Sequence, residues 1–156
     1  MINYYYTDEP WYMKEISGDY KFVTIHGTYK VQTGIKDHNF DIYSERYGRL
    51  VAKMYRDGWL HVYESYTWDG ASGPIKQTDK LVKASLSHDV LTQAIALGLL
   101  PSEHRIDADK LFHDIYLRYC LAECKRWICR QKARAWANIV YLSIRGYVKL
   151  FRRDKI

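Results

Sequence analysis

Apolar positions along this chain change their period near residue 66. Before it they fall in short runs, rich in tyrosine and valine and bounded by glycine, asparagine and aspartate, as strands do. Tyr20–Ile25 and Thr28–Thr33 flank His26-Gly27, which reads as a hairpin turn. Phe40–Ser44 reads as a short strand preceded by a loop over Gly34–Asn39. Arg49–Tyr55 and Trp59–Tyr66 enclose Arg56-Asp57-Gly58, the strongest hairpin signal in the chain, because Asp-Gly supplies the positive φ angles of a tight turn. Leu60, Val62 and Glu64 alternate with Trp59, His61 and Tyr63. The opening MINYYYTDEPWYMKEI has no clean period and reads as an irregular or edge segment. These runs predict an antiparallel β-meander of four to five strands.

After residue 79 the period becomes helical. Thr78 or Asp79 caps a predicted helix over Lys80–Ala96, whose apolar stripe is Leu81, Val82, Leu86, Val90, Ile95 and Leu97. Gly98 ends it, and Pro101-Ser102 opens the connection. Asp107 is the expected N-cap of a second helix that buries Leu111, Phe112, Ile115 and Tyr119. A third helical stretch carries Trp127, Trp136, Ile139, Val140, Ile144, Val148 and Phe151, with a break expected near Leu121–Lys125. The reading is therefore a single α+β domain over 1–156: mainly strands over 1–66, a central loop over 67–79, and a three-helix unit over 80–156. The loop, Tyr66-Thr67-Trp68-Asp69-Gly70-Ala71-Ser72-Gly73-Pro74, crowds two turn dipeptides into nine residues, so it is structured and not a linker.

Composition narrows this only slightly. The 156 residues are 47% hydrophobic and 27% charged, ordinary for a soluble globule, but fifteen tyrosines and five tryptophans are a high aromatic load that suits interfaces. The net charge of +6 is uneven. From Cys120 onward ten basic residues face only Glu123 and Asp154, so the C-terminal part carries all of the excess. Such a patch attracts phosphates, acidic partners or anionic surfaces. Cys120, Cys124 and Cys129 fall within ten residues, which argues against a secreted disulfide framework and for packing in the core. No basic and apolar leader is visible at Met1–Pro10, so no signal peptide is expected, and no apolar run reaches membrane-span length. Synthesis in a reducing cytosol is the expectation.

Chemistry concentrates on two helices. Ser85, His88 and Asp89 share one turn of the first, and Asp109 and His113 stand at i, i+4 on the second. A histidine and an aspartate one turn apart can ligate one metal or act as base and orienter. Antiparallel packing would gather both pairs beneath the central loop, adding Asp69 and Ser72. His88, Asp89, Asp109 and His113 are then candidate ligands of a divalent metal, and Asp69, Ser72, His88, Asp89 and Asp109 candidate catalytic groups. The same residues also read as a buried polar network that ties a loop to helices. His-Asp adjacency also resembles the His-Asp phosphohydrolases, but the upstream histidine those need would be His61, on a predicted strand. Lys125, Arg126, Arg130, Lys132 and Arg134, interleaved with aromatics, are candidates for binding a partner or nucleic acid.

Asp57-Gly58-Trp59-Leu60, the WDGASGP loop over Trp68–Pro74, Ser85-Leu86-Ser87-His88-Asp89-Val90-Leu91, Arg105 with Ala108-Asp109-Lys110-Leu111-Phe112, and Arg134-Ala135 ahead of Tyr141 and Arg145-Gly146 occur in an order that resembles the phage and prophage family catalogued as domain of unknown function 1353. The likeness covers roughly Tyr20 to Tyr147. The chain departs from it at Leu121-Ala122-Glu123, where members usually carry a glycine. The resemblance implies a bacteriophage or prophage product in which Trp68, Asp69, Gly70, Ser72, His88, Asp89 and Asp109 form a shared constellation, and it implies no particular activity. The leading expectation is a small non-enzymatic protein of the virion (tail or head-tail region) or host cytoplasm that contacts other phage proteins or a host protein. Self-association into a homo-oligomer is compatible with the same surfaces. A metal-assisted hydrolase and a nucleic-acid binder are the alternatives.

Overall fold

The computed structural model describes residues 12–15, 21–25, 27–45, 47–68 and 78–151. Among the described residues seven strands precede three α-helices, so the chain has the expected α+β class. The strands are β1 (Tyr12–Glu15), β2 (Lys21–Thr24), β3 (Tyr29–Gln32), β4 (Phe40–Tyr43), β5 (Leu50–Met54), β6 (Trp59–Val62) and β7 (Thr67–Trp68). The helices are α1 (Asp79–Ala96), α2 (Arg105–Ala122) and α3 (Trp127–Phe151).

The strands divide into two antiparallel sheets, β1-β2-β7 and β3-β6-β5-β4. This refines the expected meander in two places. First, β3 pairs with β6 and not with its sequence neighbour β4, which gives the four-stranded sheet a Greek-key order. Second, Gly27 does not turn a hairpin between β2 and β3. With φ of +86° it redirects the chain from one sheet to the other. Ser65, at φ +75°, makes the matching redirection between β6 and β7. The two bends face each other, since Ile25 N donates to Tyr66 O at 3.0 Å and Ser65 N donates to Ile25 O at 3.0 Å. The pairs β2–β7 and β3–β6 are thus one ribbon folded through a corner, the usual way a strand pair passes between sheets. The opening segment contributes β1, an edge strand.

The Asp57-Gly58 hairpin forms as expected. Gly58 sits at φ +90°, and its N–H donates to Tyr55 O at 2.9 Å. The β3–β4 loop lies on this turn: Thr33 donates to Gly58 O through both its N–H and its hydroxyl, each at 2.9 Å. A Cβ at Gly58 would approach Ile35 O to 2.8 Å, so the close packing and the positive φ both require glycine there.

The helices follow their local signals. Thr78 caps α1, its hydroxyl accepting from Leu81 N, and Gly98, at φ +71°, closes the helix. Asp107 is not the N-cap of α2. A 3-10 turn at Ser102–His104 leads straight into Arg105, placing Asp107 in the first helical turn, where its carboxylate bonds His104. The break between α2 and α3 falls at Glu123–Arg126. The cysteines divide: Cys124 and Cys129 are joined as a disulfide across this turn and not buried in the core, whereas Cys120, on the last turn of α2, is a free, half-buried thiol packed against the core as expected.

Lys80 meets Glu123 and His88 meets Asp109, so α1 and α2 run antiparallel. His113 meets Asn138 and Asp109 meets Arg145, so α2 and α3 do too. The hydrophobic core is continuous from Ile25 through Leu60 and Leu86 to Ala137 and Val140. Among the described residues no helix is long and apolar enough to cross a membrane.

Candidate functional site: a buried charge hub at Asp109

Two side chains tie the sheets to α1. Trp68, at the end of β7, donates from Nε1 to Ser85 Oγ at 3.0 Å, and Tyr66 donates from its hydroxyl to Gln93 Oε1 at 2.9 Å. Ser85 in turn donates to Val82 O at 2.8 Å. Its hydroxyl is therefore committed to holding the tryptophan. One turn further along α1, His88 points at α2.

Asp109 lies on α2 with its side chain only 4% exposed. Its Oδ1 is 3.0 Å from His88 Nε2 and 3.6 Å from Arg105 Nε, and its Oδ2 accepts from Arg145 Nη1 at 3.4 Å. Arg105 comes from the preceding turn of α2, Arg145 from α3, and His88 from α1. One carboxylate thus joins all three helices. The second ring nitrogen of His88, Nδ1, lies 3.3 Å from Asp89 Oδ1. Both imidazole nitrogens face carboxylates, an arrangement that an imidazolium, with two N–H donors, satisfies completely.

The protonation of His88 follows from this setting. Burial is the largest single influence and works against the charged ring. The hydrogen bonds that the ring donates to Asp109 and Asp89, with the negative charges of those carboxylates, together outweigh it and raise the pKa above the ordinary 6.5. A group with a raised folded pKa contributes stability that is complete below the unfolded value and is lost as pH rises through the folded value. Wild type is therefore expected to lose stability relative to a His88→Asn variant as pH rises above about 6.5. Urea unfolding of both proteins from pH 6 to 9 checks this, and a gap between them that stays constant with pH would refute it.

The other expected residues fall in different places. His113 does not join His88. Its Nε2 faces Asn138 Oδ1 at 2.9 Å and its Nδ1 faces Asp114 at 3.2 Å, with Tyr141 packed edge-on to the ring. The reason is that α2 lies between two helices: Asp109 reaches both, while His113, one turn later, faces α3 alone. Asp69 and Ser72 lie outside the described residues. Lys125, Arg126, Arg130, Lys132 and Arg134 are on the surface, three of them on α3. Arg105 and Arg145 were not among the expected site residues. Arg105 stands at i, i+4 from Asp109, a spacing that signals an ion pair, whereas nothing local marks Arg145.

A separate groove of about 660 Å³ opens near the start of α1, lined by Lys80, Lys83, Tyr116, Tyr119, Cys120 and Trp136. Among the described residues no group of three or more histidine, cysteine or acidic side chains has the geometry to hold a metal ion. The chain matches no family model, no curated protein and no solved structure.

Proposed function

We propose that this chain is a small non-enzymatic protein of bacteriophage or prophage origin that works through protein–protein contacts, in the virion or in the host cytoplasm. The observation that carries this reading is the outward face of α3. Ile128, Ile139 and Leu142 share that face at helical spacing and are 62%, 51% and 65% exposed, and Trp127 beside them is 72% exposed. Arg130, Lys132 and Arg134 are exposed on the same helix, which carries no acidic residue. An apolar stripe with a cationic rim fits an acidic partner that also buries aliphatic surface. Self-pairing of such a helix brings like charges together, and phosphate backbones have no use for isoleucine and leucine. Tyr43, Tyr47 and Tyr55 are a second exposed aromatic set, on the sheet side.

The hydrolase alternative has the charge balance against it. Asp109 already faces two guanidinium groups and the His88 ring, and both nitrogens of His88 are engaged. A divalent cation there would meet the two guanidinium groups before it met a free donor.

A photo-crosslinking residue at position 142, in protein expressed during infection or prophage induction, tests the proposal. The expected result is one discrete crosslinked protein, with affinity at least about tenfold weaker in Leu142→Glu, about 1.4 kcal/mol. No adduct, or strongly salt-dependent retention of DNA in place of a protein adduct, would overturn it.

A further inference from the structure

We propose that His38 and His104 form a two-histidine site for a divalent transition ion of the nickel or zinc type. His38 lies in the β3–β4 loop and His104 ends the 3-10 turn before α2. Separated by 66 positions in sequence, their Nε2 atoms lie 3.1 Å apart.

Three observations fit a metal, and the second of them, the ring tilt, favours it over a simple imidazole hydrogen bond, whose ordinary length the 3.1 Å separation also matches. The first is the separation itself. Two imidazoles bound to one ion at about 2.1 Å each place their nitrogens roughly 3.0 Å apart at a right angle and about 3.4 Å apart at the tetrahedral angle. The observed distance falls inside that window. The second is the tilt of the rings. A straight Nε2–H···Nε2 bond at this separation would set the ring centres roughly 5.4 Å apart. They are 4.7 Å apart, with the planes at 71°. The ring axes are therefore bent well away from the line between the nitrogens, which weakens a hydrogen bond.

The third is the outer partner. Asp107 Oδ2 lies 2.9 Å from His104 Nδ1, so the carboxylate accepts the Nδ1–H and leaves Nε2 with its lone pair outward. This carboxylate–imidazole arrangement is the one that orients histidine ligands in metal proteins. Asp107 also offsets the positive end of the α2 dipole, which on its own disfavours a cation there.

The loop that presents His38 is held firmly. Asp37, directly before it, adopts φ +64°, and its N–H donates to Arg56 O at 2.8 Å. Ile35 N donates to Thr33 Oγ1 at 3.1 Å, and Thr33 itself is fastened to the Gly58 turn. A left-handed aspartate beside a ligand candidate is the kind of local strain that accompanies binding positions. The side chain of His104 is 18% exposed, so water can reach the ion and complete its coordination. Because the two histidines belong to the sheet and helix halves, an ion here would cross-link them.

The test uses tag-free, disulfide-intact wild-type protein stripped with chelator and titrated calorimetrically with nickel, then with zinc. One saturable equivalent is expected, with a rise in melting temperature of about 2–4 °C. His38→Gln and His104→Gln are each expected to weaken binding at least tenfold, and Asp107→Asn by roughly tenfold while leaving it detectable. In the wild-type protein itself, nickel should protect His38 and His104, but not His61 or His113, from carbethoxylation. This keeps the proposal testable even where a glutamine variant folds poorly. No saturable binding, affinity unchanged in both histidine variants, or protection spread equally over all four histidines would overturn it.

Discussion

Asp109→Ala is expected to lower the unfolding free energy by about 3–5 kcal/mol, the range found when one partner of a buried ion pair is deleted. The carboxylate is the meeting point of His88, Arg105 and Arg145, and all three lie mostly out of water. Alanine leaves two guanidinium groups and the His88 ring around an empty volume without their shared carboxylate, with side chains only 12–27% exposed. Asp109→Asn keeps the shape and removes the charge, so it separates packing from electrostatics. It should retain the volume yet lose much of the stability, and the pKa of His88 should fall, because one of the two carboxylates that raise it is gone. Urea unfolding gives the first quantity and a proton-NMR histidine titration the second. The result also bears on function. Residues kept for catalysis are commonly held at some cost in stability, so their replacement is often neutral or stabilising. A neutral or stabilising Asp109→Ala would therefore contradict a structural hub and return weight to a catalytic reading.

What could be read from the sequence depended on how local its cause was. The ends of α1 were legible because Thr78 caps and Gly98 closes within a few residues of what they control. Asp57-Gly58 was legible for the same reason. The pairing of β3 with β6 was not, because it depends on a corner in the ribbon where Gly27 and Ser65 bend together across nearly forty residues. The meeting of His88 with Asp109 followed from the i, i+4 patterns once α1 and α2 were taken as antiparallel. His113 shows the limit of that reasoning. Spacing places two residues on one stripe, but it does not say which neighbouring helix each part of the stripe will meet. No spacing in the sequence pairs Arg145 with Asp109 or His38 with His104, since each contact forms only when distant elements pack. Cys124 and Cys129 escaped for another reason: composition pointed all three cysteines to the core, where only Cys120 packs, whereas the position of the other two at the turn between α2 and α3 is a matter of where the helices end.

Trp68→Ala is expected to cost about 3–5 kcal/mol, as large aromatic truncations in cores do. Trp68 is 4% exposed and closes β7 directly against α1. Its ring supplies apolar area between sheet and helix, and its Nε1–H is bonded to Ser85, which is 1% exposed. The two contributions can be separated. Trp68→Phe keeps most of the area and removes the donor. Ser85 Oγ still donates to Val82 O in that variant, so the loss from the hydrogen bond alone should be near about 1 kcal/mol, with a small packing term added. Ser85→Ala should cost about the same, and the double variant Trp68→Phe/Ser85→Ala less than the sum, because both remove one bond. If the double variant showed strict additivity, the Trp68–Ser85 contact would contribute no coupling and the ring would act through area alone. If Trp68→Ala cost under about 1.5 kcal/mol, well below the range for a buried aromatic, Trp68 would not be the anchor of the sheet on α1. Tyr66, bonded to Gln93 one helical stretch further on, would then have to carry that attachment.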